Sequence, residues 1–148
     1  MPQNTELLLG IRRMIRLYET MIRQVCAQYG LTQIETDIIA FLHNNPGKDT
    51  ARDIVELRML QKGNVSQAVE TLIQKGFLTR TPDTRDRRLI HLSLTPEAEP
   101  VMEAISGARG QFQERLFEGF SREERLLYAS LNHRLFENAE KYTSAERK

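Results

Sequence analysis

Residues 63–95 combine a short amphipathic segment with two strand-like runs, and this order limits the possible folds more than any other feature of the chain. Apolar side chains recur there at three- and four-residue steps, which is typical of a helix with one buried face: Val65, Ala68, Val69, Leu72 and Ile73. The opposite face is polar: Asn64, Ser66, Gln67, Glu70 and Thr71. Gly76 is suited to end this helix, because glycine readily adopts the left-handed conformation at such positions.

Two predicted strands follow, Phe77–Thr81 and Leu89–Leu94. The segment between them, Pro82–Arg88, is too polar for a core and is typical of an exposed hairpin loop. A helix with a polar outer face, followed by a hairpin with an arginine-rich tip, is the arrangement of a winged helix-turn-helix. The helix would suit the major groove of DNA, and the hairpin, or wing, would suit phosphate or the adjacent minor groove.

The same residues resemble the MarR (multiple antibiotic resistance regulator) family of bacterial transcription regulators. Asp83-Thr84-Arg85-Asp86-Arg87-Arg88 fits the D-x-R-D-x-R wing of that family. The segment Ala68–Arg80 is similar to its recognition helix and first wing strand, and Leu92-Ser93-Leu94-Thr95 is similar to the hydrophobic-x-L-T end of its second strand. The resemblance extends over nearly the whole chain, although the specific motifs lie in the middle third.

The resemblance implies a homodimeric regulator, most often a repressor, that binds a pseudo-palindromic operator. Its two recognition helices would enter successive major grooves about 34–36 Å apart. It also implies a small phenolic or lipophilic effector between the DNA-binding lobe and the dimer helices, which would shift the balance between two spacings of these helices. Four helix-borne aromatic residues are candidates for such a pocket, although aromatic residues at helical spacing are usually core: Tyr18, Tyr29, Phe112 and Phe117.

Two sets of residues are candidates for contact with DNA. In the recognition helix they are Lys62, Gly63, Asn64, Ser66, Gln67 and Thr71. In the wing they are Asp83, Arg85, Asp86, Arg87 and Arg88. Amide side chains can bond bidentately to adenine, and a serine hydroxyl can bond several bases. We therefore expect Asn64, Ser66 and Gln67 to contact base edges.

The remaining candidates are expected to contact the DNA backbone or the minor groove. Lys62 and Thr71 suit phosphate, and Arg88 suits the negative potential of a narrow minor groove. Asp86 is expected to pair with a wing arginine and fix its direction. Gly63 follows Gln61, a poor helix cap, so the first turn either frays or allows backbone amides to approach a phosphate closely.

Long amphipathic helices are predicted on both sides of this region. Leu7–Tyr29 carries a regular apolar stripe that is longer than a small core needs, so part of it should meet another helix. Thr32 and Glu35 form a capping-box pattern, as do Ser121 and Glu124. The last helix is predicted to bury Leu127, Leu131, Leu135 and Tyr142.

The predicted fold class is mainly α (α+β). It is a winged helix-turn-helix at residues 32–95, with an N-terminal dimerisation helix at 1–31 and C-terminal dimerisation helices at 96–148.

Composition and charge are compatible with this hypothesis but do not establish it. The 148 residues carry a formal net charge of +1. The segment Lys48–His91 has nine Lys/Arg against six Asp/Glu, a net of +3, whereas Thr95–Lys148 has eight against ten, a net of −2. No apolar run is long enough to span a membrane, and residues 1–6 lack the pattern of a signal peptide. We therefore expect a cytoplasmic protein.

Neither enzyme chemistry nor metal binding is predicted. The sequence contains no glycine-rich phosphate loop and no nucleophile motif, so an enzyme is not expected, and no cofactor is implied. The three histidines, His43, His91 and His133, are not spaced with other ligand types as a zinc site would require.

Two alternatives to the main hypothesis stay open. One is a winged helix that serves only protein contact or dimerisation and does not bind DNA; the arginines of the wing argue against it. The other is a redox-sensing variant of the regulator that uses Cys26. Cys26 lies on the apolar stripe of the first helix, which is typical of a buried structural cysteine.

Overall fold

The structure, a computed structural model, describes residues 4–58 and 60–146. Residues 1–3, 147 and 148, which belong to the predicted terminal segments, lie outside the described residues, as does Met59, which precedes the predicted recognition helix. The elements, in chain order, are α1 (Asn4–Tyr29), α2 (Gln33–Asn44), α3 (Ala51–Arg58), α4 (Lys62–Gln74), β1 (Leu78–Pro82), β2 (Ile90–Leu94), a 3₁₀ turn (Pro96–Ala98), α5 (Glu99–Leu116) and α6 (Arg122–Glu146). This order confirms the predicted fold class, a mainly helical winged helix-turn-helix.

The chain divides into two compact units, one ending at Phe112 and the other beginning at Gln113. The first contains the winged helix-turn-helix, α1 and most of α5. The second contains the end of α5 and all of α6. This division does not coincide with the predicted boundaries after residues 31 and 95, which concern how two subunits would share the helices and stay a prediction.

The core of the first unit is built where α2, α3, α4 and the hairpin meet the second half of α1 and the start of α5. Apart from Thr36, its largest fully buried side chains are apolar, and they come from each of these elements: Ile22, Ile38, Ile39, Ile54, Val65, Leu72, Leu78 and Val101. The apolar stripe of α4 therefore faces inward, as predicted, and its polar face lies at the surface.

The predicted capping box at the start of α2 is confirmed. The backbone N–H of Glu35 donates to Thr32 Oγ1 (3.3 Å), and the N–H of Thr32 donates to Glu35 Oε1 (3.0 Å). Glu35 is buried, and its carboxylate also accepts from Lys75 Nζ at 3.0 Å. Because Lys75 also donates to the Gly30 carbonyl (2.7 Å), it ties the end of α4 to the end of α1 and the start of α2.

The hairpin is antiparallel, with Leu78 opposite Leu94 and Thr81 opposite His91. Both strands begin one residue later than predicted. Gly76 has a φ of +88°, which confirms the predicted left-handed exit from α4.

Thr95 does not cap the following helix with its side chain; its hydroxyl donates instead to the Gly76 carbonyl (2.6 Å). The α-helix starts at Glu99, after the 3₁₀ turn, so Pro100 lies in its first turn, where a proline is tolerated.

The prediction that α6 buries its leucine stripe within the chain is wrong. Leu127, Leu131, Leu135 and Tyr142 are between 46% and 67% exposed. The first half of the α1 stripe is exposed in the same way, at Leu7, Ile11 and Ile15. Helical periodicity identifies an apolar face but does not say whether the surface that covers it belongs to the same chain.

Substitution on α3 should separate core packing from surface effects. Ile54 is fully buried, whereas Leu57, one turn later, is 56% exposed. Ile54→Ala should lower the free energy of unfolding by about 2–5 kcal/mol, because it leaves a cavity. Leu57→Ala should lower it by less than about 1 kcal/mol. Urea denaturation followed by circular dichroism measures both, and equal effects would contradict the described core.

Candidate nucleic-acid interface

The outer face of α4 is set by the core beneath it. Because Val65, Ala68, Val69 and Leu72 are buried, the residues between them point outward. Five polar side chains on this face are exposed: Lys62, Asn64, Ser66, Gln67 and Glu70. Four of the five are candidates for DNA contact from the sequence, and Glu70 is not.

The first turn of α4 is only weakly capped. Gln61 occupies the N-cap position but makes no cap hydrogen bond with its side chain. Its Oε1 lies instead 3.4 Å from Asn64 Nδ2, so the two amides share one weak contact at the start of the helix. Gly63 lies within the helix, and a Cβ added there would meet nothing within 4 Å. Both interpretations of Gly63, fraying and close approach of phosphate, therefore stay open.

Thr71 is the least accessible of the predicted DNA contacts. It is half-buried, and its hydroxyl donates to the Gln67 carbonyl at 3.0 Å. The hydroxyl proton is therefore already used within the helix, which leaves the oxygen lone pairs for an incoming donor.

An ion pair that the sequence analysis missed links α4 to the hairpin. Both carboxylate oxygens of Glu70 accept from the guanidinium of Arg80 on β1, and the contact from Nη2 to Oε2 measures 3.1 Å. Such a bidentate pair fixes the direction of both side chains. It also neutralises the negative charge on the outer face of α4.

The wing loop is shaped by its two aspartates. Asp83 Oδ2 accepts from the backbone N–H groups of Arg85 (3.0 Å) and Asp86 (2.9 Å). Asp86 Oδ1 accepts from the backbone N–H of Arg88 (3.0 Å) and lies 3.6 Å from Arg88 Nε, so the expected pairing of Asp86 with a wing arginine is present. Arg85, Arg87 and Arg88 are exposed. The aspartates therefore order the backbone of a loop whose cationic side chains face solvent.

His91 joins the root of the wing to the loop before α3. Its Nδ1 lies 2.8 Å from Asp49 Oδ1, and its Nε2 lies 2.8 Å from Asp83 Oδ1. Hydrogen bonds from His91 and from the backbone N–H groups of Asp86 and Arg85 lower the pKa of Asp83 to about 2. The hydrogen bonds to Asp49 and Asp83 raise the pKa of His91 above its ordinary value of 6.5.

The four candidate pocket aromatics are not gathered around one described cavity. Tyr18 and Phe112 pack edge to face, with ring centroids 5.4 Å apart, and the Tyr29 hydroxyl donates to the Pro100 carbonyl (3.3 Å). Phe117 lies in the second unit, where it packs against Phe120 and Tyr128. Two described cavities in the first unit, of about 80 and 210 Å³, are lined by other residues.

The remaining sequence candidates can also be located. Cys26 is half-buried, with its Sγ 3.3 Å from the hydroxyl of the buried Thr36. In the described part of the chain, no three His, Cys, Asp or Glu side chains are grouped so that they could hold a metal ion. None of the helices in residues 4–58 and 60–146 has the length and hydropathy needed to cross a bilayer.

Comparison with known proteins agrees with this geometry. A model of the MarR family matches residues 29–89, from the end of α1 to the end of the wing loop. The HTH-type transcriptional repressor MdtR of Bacillus subtilis is 25% identical over 136 residues, which cover 92% of this chain and 87% of that protein. In this segment the chain is similar to the MarR family of transcription regulators.

Other proteins show the same pattern of similarity. The uncharacterized HTH-type transcriptional regulator YwaE of Bacillus subtilis is 27% identical over 123 residues, which cover 83% of this chain and 71% of that protein. The crystal structure of MarR superimposes with a TM-score of 0.80 at 22% identity and covers 98% of both chains. Bordetella bronchiseptica BpsR superimposes with a TM-score of 0.69 at 21% identity, over 87% of this chain and 97% of that one. The structural matches support the fold.

Titration of Asp83 provides a test of the wing geometry. Its pKa should be about 2, against an ordinary value of 3.8, because His91 and two backbone N–H groups favour the carboxylate. The carboxylate therefore stabilises the fold above pH 3.8, and this contribution is lost as the pH falls through about 2. His91→Gln should raise the pKa towards 3.8.

Carboxyl-carbon NMR of Asp83 measures this shift. His43→Gln is the matched control, because His43 lies on α2 and makes no described contact with Asp83. An Asp83 titration that is identical in the wild type and in His91→Gln would contradict the described hydrogen bond.

Proposed function

We propose that this regulator binds a pseudo-palindromic DNA operator as a homodimer and represses transcription until a small ligand releases it. The observation that carries the proposal is the surface formed by α4 and the wing loop. There, a polar helix face supported by the core lies beside three exposed arginines on an ordered loop. The proposal places the protein in the cytoplasm, where its operator would lie.

The helix supplies side chains of the types that discriminate base edges. Asn64 and Gln67 carry amides that can bond bidentately to adenine, and Ser66 carries a small hydroxyl between them. All three are exposed. Lys62 at the first turn suits phosphate. Thr71 could bond a phosphate only if its hydroxyl proton left the Gln67 carbonyl, because a phosphodiester accepts hydrogen bonds and does not donate them. In this proposal Asn64, Ser66 and Gln67 determine the sequence specificity, and the other residues position the protein on the DNA backbone.

The wing supplies cations whose backbone is already ordered. Asp83 and Asp86 fix the loop through three backbone N–H groups. Little backbone entropy is therefore lost when Arg85, Arg87 and Arg88 meet phosphates or a minor groove. Arg88 has a side chain that is 95% exposed, which suits insertion into a groove of negative potential.

Glu70 would oppose DNA binding if its charge were uncompensated. A carboxylate on the outer face of a recognition helix repels phosphate. The bidentate contact with Arg80 removes this repulsion and leaves the face of α4 with the net positive charge of Lys62. We therefore assign Arg80 a supporting role in the DNA-binding surface.

The homodimer is proposed from the apolar stripes of the terminal helices. Leu127, Leu131 and Leu135 on α6 and Ile11 and Ile15 on α1 are all at least 39% exposed. Exposed stripes of this kind mark sites where another protein surface packs. A two-fold dimer would also present two α4 helices to the two halves of a palindrome.

Ligand release is supported by the family and by one relative. The structure of BpsR describes regulation of its DNA binding by 6-hydroxynicotinic acid. In the present chain the two described cavities, about 80 and 210 Å³, are smaller than the roughly 300–1,000 Å³ typical of ligand sites. An effector would therefore have to widen a cavity. An effector that binds the widened form more tightly would shift the population towards that form, and with it the spacing of the two α4 helices.

Selection from a random-sequence duplex pool, combined with a salt titration, tests the proposal. We expect enrichment of an inverted repeat and a steep loss of affinity as the salt concentration rises. Weak binding that is independent of sequence, with or without candidate aromatic acids, would contradict it. In that case the alternative of a winged helix used only for protein contact would be favoured.

Substitutions in the wing and in the helix should have different effects. Arg88→Ala should weaken binding to all sequences and lower the salt slope by about one unit, because one cationic contact is lost. Gln67→Ala should relax the preference at particular base pairs and leave the slope unchanged. Binding isotherms at several salt concentrations, on the selected operator and its single-base variants, measure both effects.

Arg122→Ala, at the start of α6, is the control and should bind like the wild type. Identical behaviour of the two test variants would contradict the division of roles.

A charge in the α6 stripe should separate the subunits. Leu131→Asp would place a carboxylate in the proposed interface, where it would be desolvated without a partner. We expect monomers in sedimentation velocity and a loss of at least about tenfold in operator affinity, because one half-site contact is lost. Arg122→Asp lies on the opposite face of the same helix and should remain dimeric. A dimeric Leu131→Asp protein with wild-type affinity would exclude this interface.

A further inference from the structure

His91 lies between two carboxylates that come from different parts of the fold. Asp49 belongs to the loop between α2 and α3, and Asp83 to the first position of the wing loop. Each carboxylate has an oxygen 2.8 Å from one ring nitrogen of His91. The residues are 42 and 8 positions apart in sequence from His91, so the fold assembles the cluster.

This geometry requires a proton on each ring nitrogen. A neutral imidazole has one N–H donor and one lone pair, whereas the imidazolium has two donors. In the neutral ring, one lone pair would face a carboxylate oxygen at 2.8 Å, which is repulsive. Only the protonated ring can therefore donate to both Asp49 and Asp83. Because both bonds are then charge-assisted, they are stronger and more directional than bonds between neutral groups.

The charged groups described around the ring are both acidic. Asp49 and Asp83 are the charged groups described against His91 from the two packed loops. Across the sheet, its partner on β1 is Thr81, and its neighbours along β2 are Ile90 and Leu92. Both carboxylates raise the pKa of His91.

The cluster is connected directly to the conformation of the arginine loop. Asp83 uses Oδ1 for His91 and Oδ2 for the backbone N–H groups of Arg85 and Asp86. On the other side, the N–H of Leu92 donates to the Asp49 carbonyl at 2.8 Å, beside the side-chain contact. His91 therefore links the residue that shapes the wing loop to the segment that leads into the helix-turn-helix.

We propose that His91 is a positioning residue for DNA binding: its imidazolium holds Asp83, and through it the arginine loop, in the conformation that contacts DNA. The proposal rests on the proposed function of the wing. It adds that affinity for DNA depends on the protonation of a residue that does not touch DNA.

The direction of the pH dependence follows from the two carboxylates. The pKa of His91 is higher in the folded protein than 6.5, so the bridge is fully formed below that pH and is lost as the pH rises through the folded pKa. Asp83, with a pKa of about 2, remains a carboxylate throughout this range. DNA affinity should therefore be highest on the acidic side of the His91 titration and should fall on the alkaline side.

Binding measurements across this titration test the proposal with four proteins. Wild-type affinity for the selected duplex should fall roughly three- to tenfold from the acidic to the alkaline side, the order expected for one charge-assisted bond that is partly exposed. His91→Gln should bind weakly at every pH, because an amide donates to one carboxylate only. His91→Arg should bind tightly at every pH, because its guanidinium can donate to both and stays charged. His133→Gln is the control, since His133 contacts a single carboxylate, Glu137, on α6, and it should follow the wild type.

NMR of the free protein separates this proposal from the proposed function. The backbone amides of Arg85 and Asp86 should shift with the same midpoint as the His91 ring, and this coupling should vanish in His91→Arg. His91 does not position the loop if the amide shifts of Arg85 and Asp86 stay constant across the His91 titration. The same conclusion holds if His91→Gln and His91→Arg lose DNA affinity with rising pH as the wild type does. If the amide shifts follow the His91 titration but no duplex binds at any pH, the proposed function is wrong. The proposed dependence of DNA affinity on His91 is then wrong as well, although the hydrogen bonds of His91 to Asp49 and Asp83 are supported.

Discussion

The orientation of the candidate interface depends on the burial of one side of α4. Val65, Ala68, Val69 and Leu72 pack into the core, so the helix cannot rotate about its axis without exposing them. At its C-terminal end, Lys75 bonds to the buried carboxylate of Glu35 and to the carbonyl that ends α1. Glu35 is only 4% exposed, so loss of the lysine would leave a buried carboxylate without its cation, and this contact therefore also fixes the helix along its axis. The polar face is presented to solvent as a consequence of core packing.

The wing, in contrast, is oriented by polar contacts at the surface. Exposed ion pairs contribute little to the free energy of folding, about 0–1 kcal/mol, so Glu70–Arg80 and Asp49–His91–Asp83 are better understood as constraints on direction. Each acidic residue near the interface has a defined partner: Arg80 for Glu70, His91 and backbone N–H groups for Asp83, and Arg88 for Asp86. The negative charges are compensated locally, and the exposed side chains of Arg85, Arg87 and Arg88 remain available to an external anion. A surface can thus carry many carboxylates and still attract a polyanion.

The sequence predicted the features that depend on neighbouring residues. The cap formed by Thr32 and Glu35, the turn at Gly76, and the cap formed by Ser121 and Glu124 (3.1 and 2.8 Å) each involve residues within one turn, where spacing determines contact. The ion pair between Glu70 and Arg80 and the contact between His91 and Asp49 were missed, because they join separate elements. No periodicity relates residues 42 positions apart, and His91 has the pattern of an ordinary strand residue. The predicted DNA contacts lie on the outer face of α4 and in the wing loop.

The exposed apolar stripes indicate how much apolar surface a stable dimer would have to bury. Full burial of a leucine contributes roughly 1.5–3 kcal/mol, but Leu127, Leu131 and Leu135 are already about half covered, since their exposures are 62%, 46% and 56%. These residues can therefore contribute only part of that amount in each chain. Association costs an estimated 4–15 kcal/mol in lost translational and rotational freedom. The α6 stripe alone would give a weak dimer, so a stable one must also bury the first half of α1, where Leu7, Leu8, Ile11 and Ile15 are exposed. Because the second half of the same helix packs in the core through Ile22 and Val25, such a dimer would connect the subunit interface directly to the DNA-binding unit. An effector that altered the packing of α1 would then change the spacing of the two α4 helices without touching either of them.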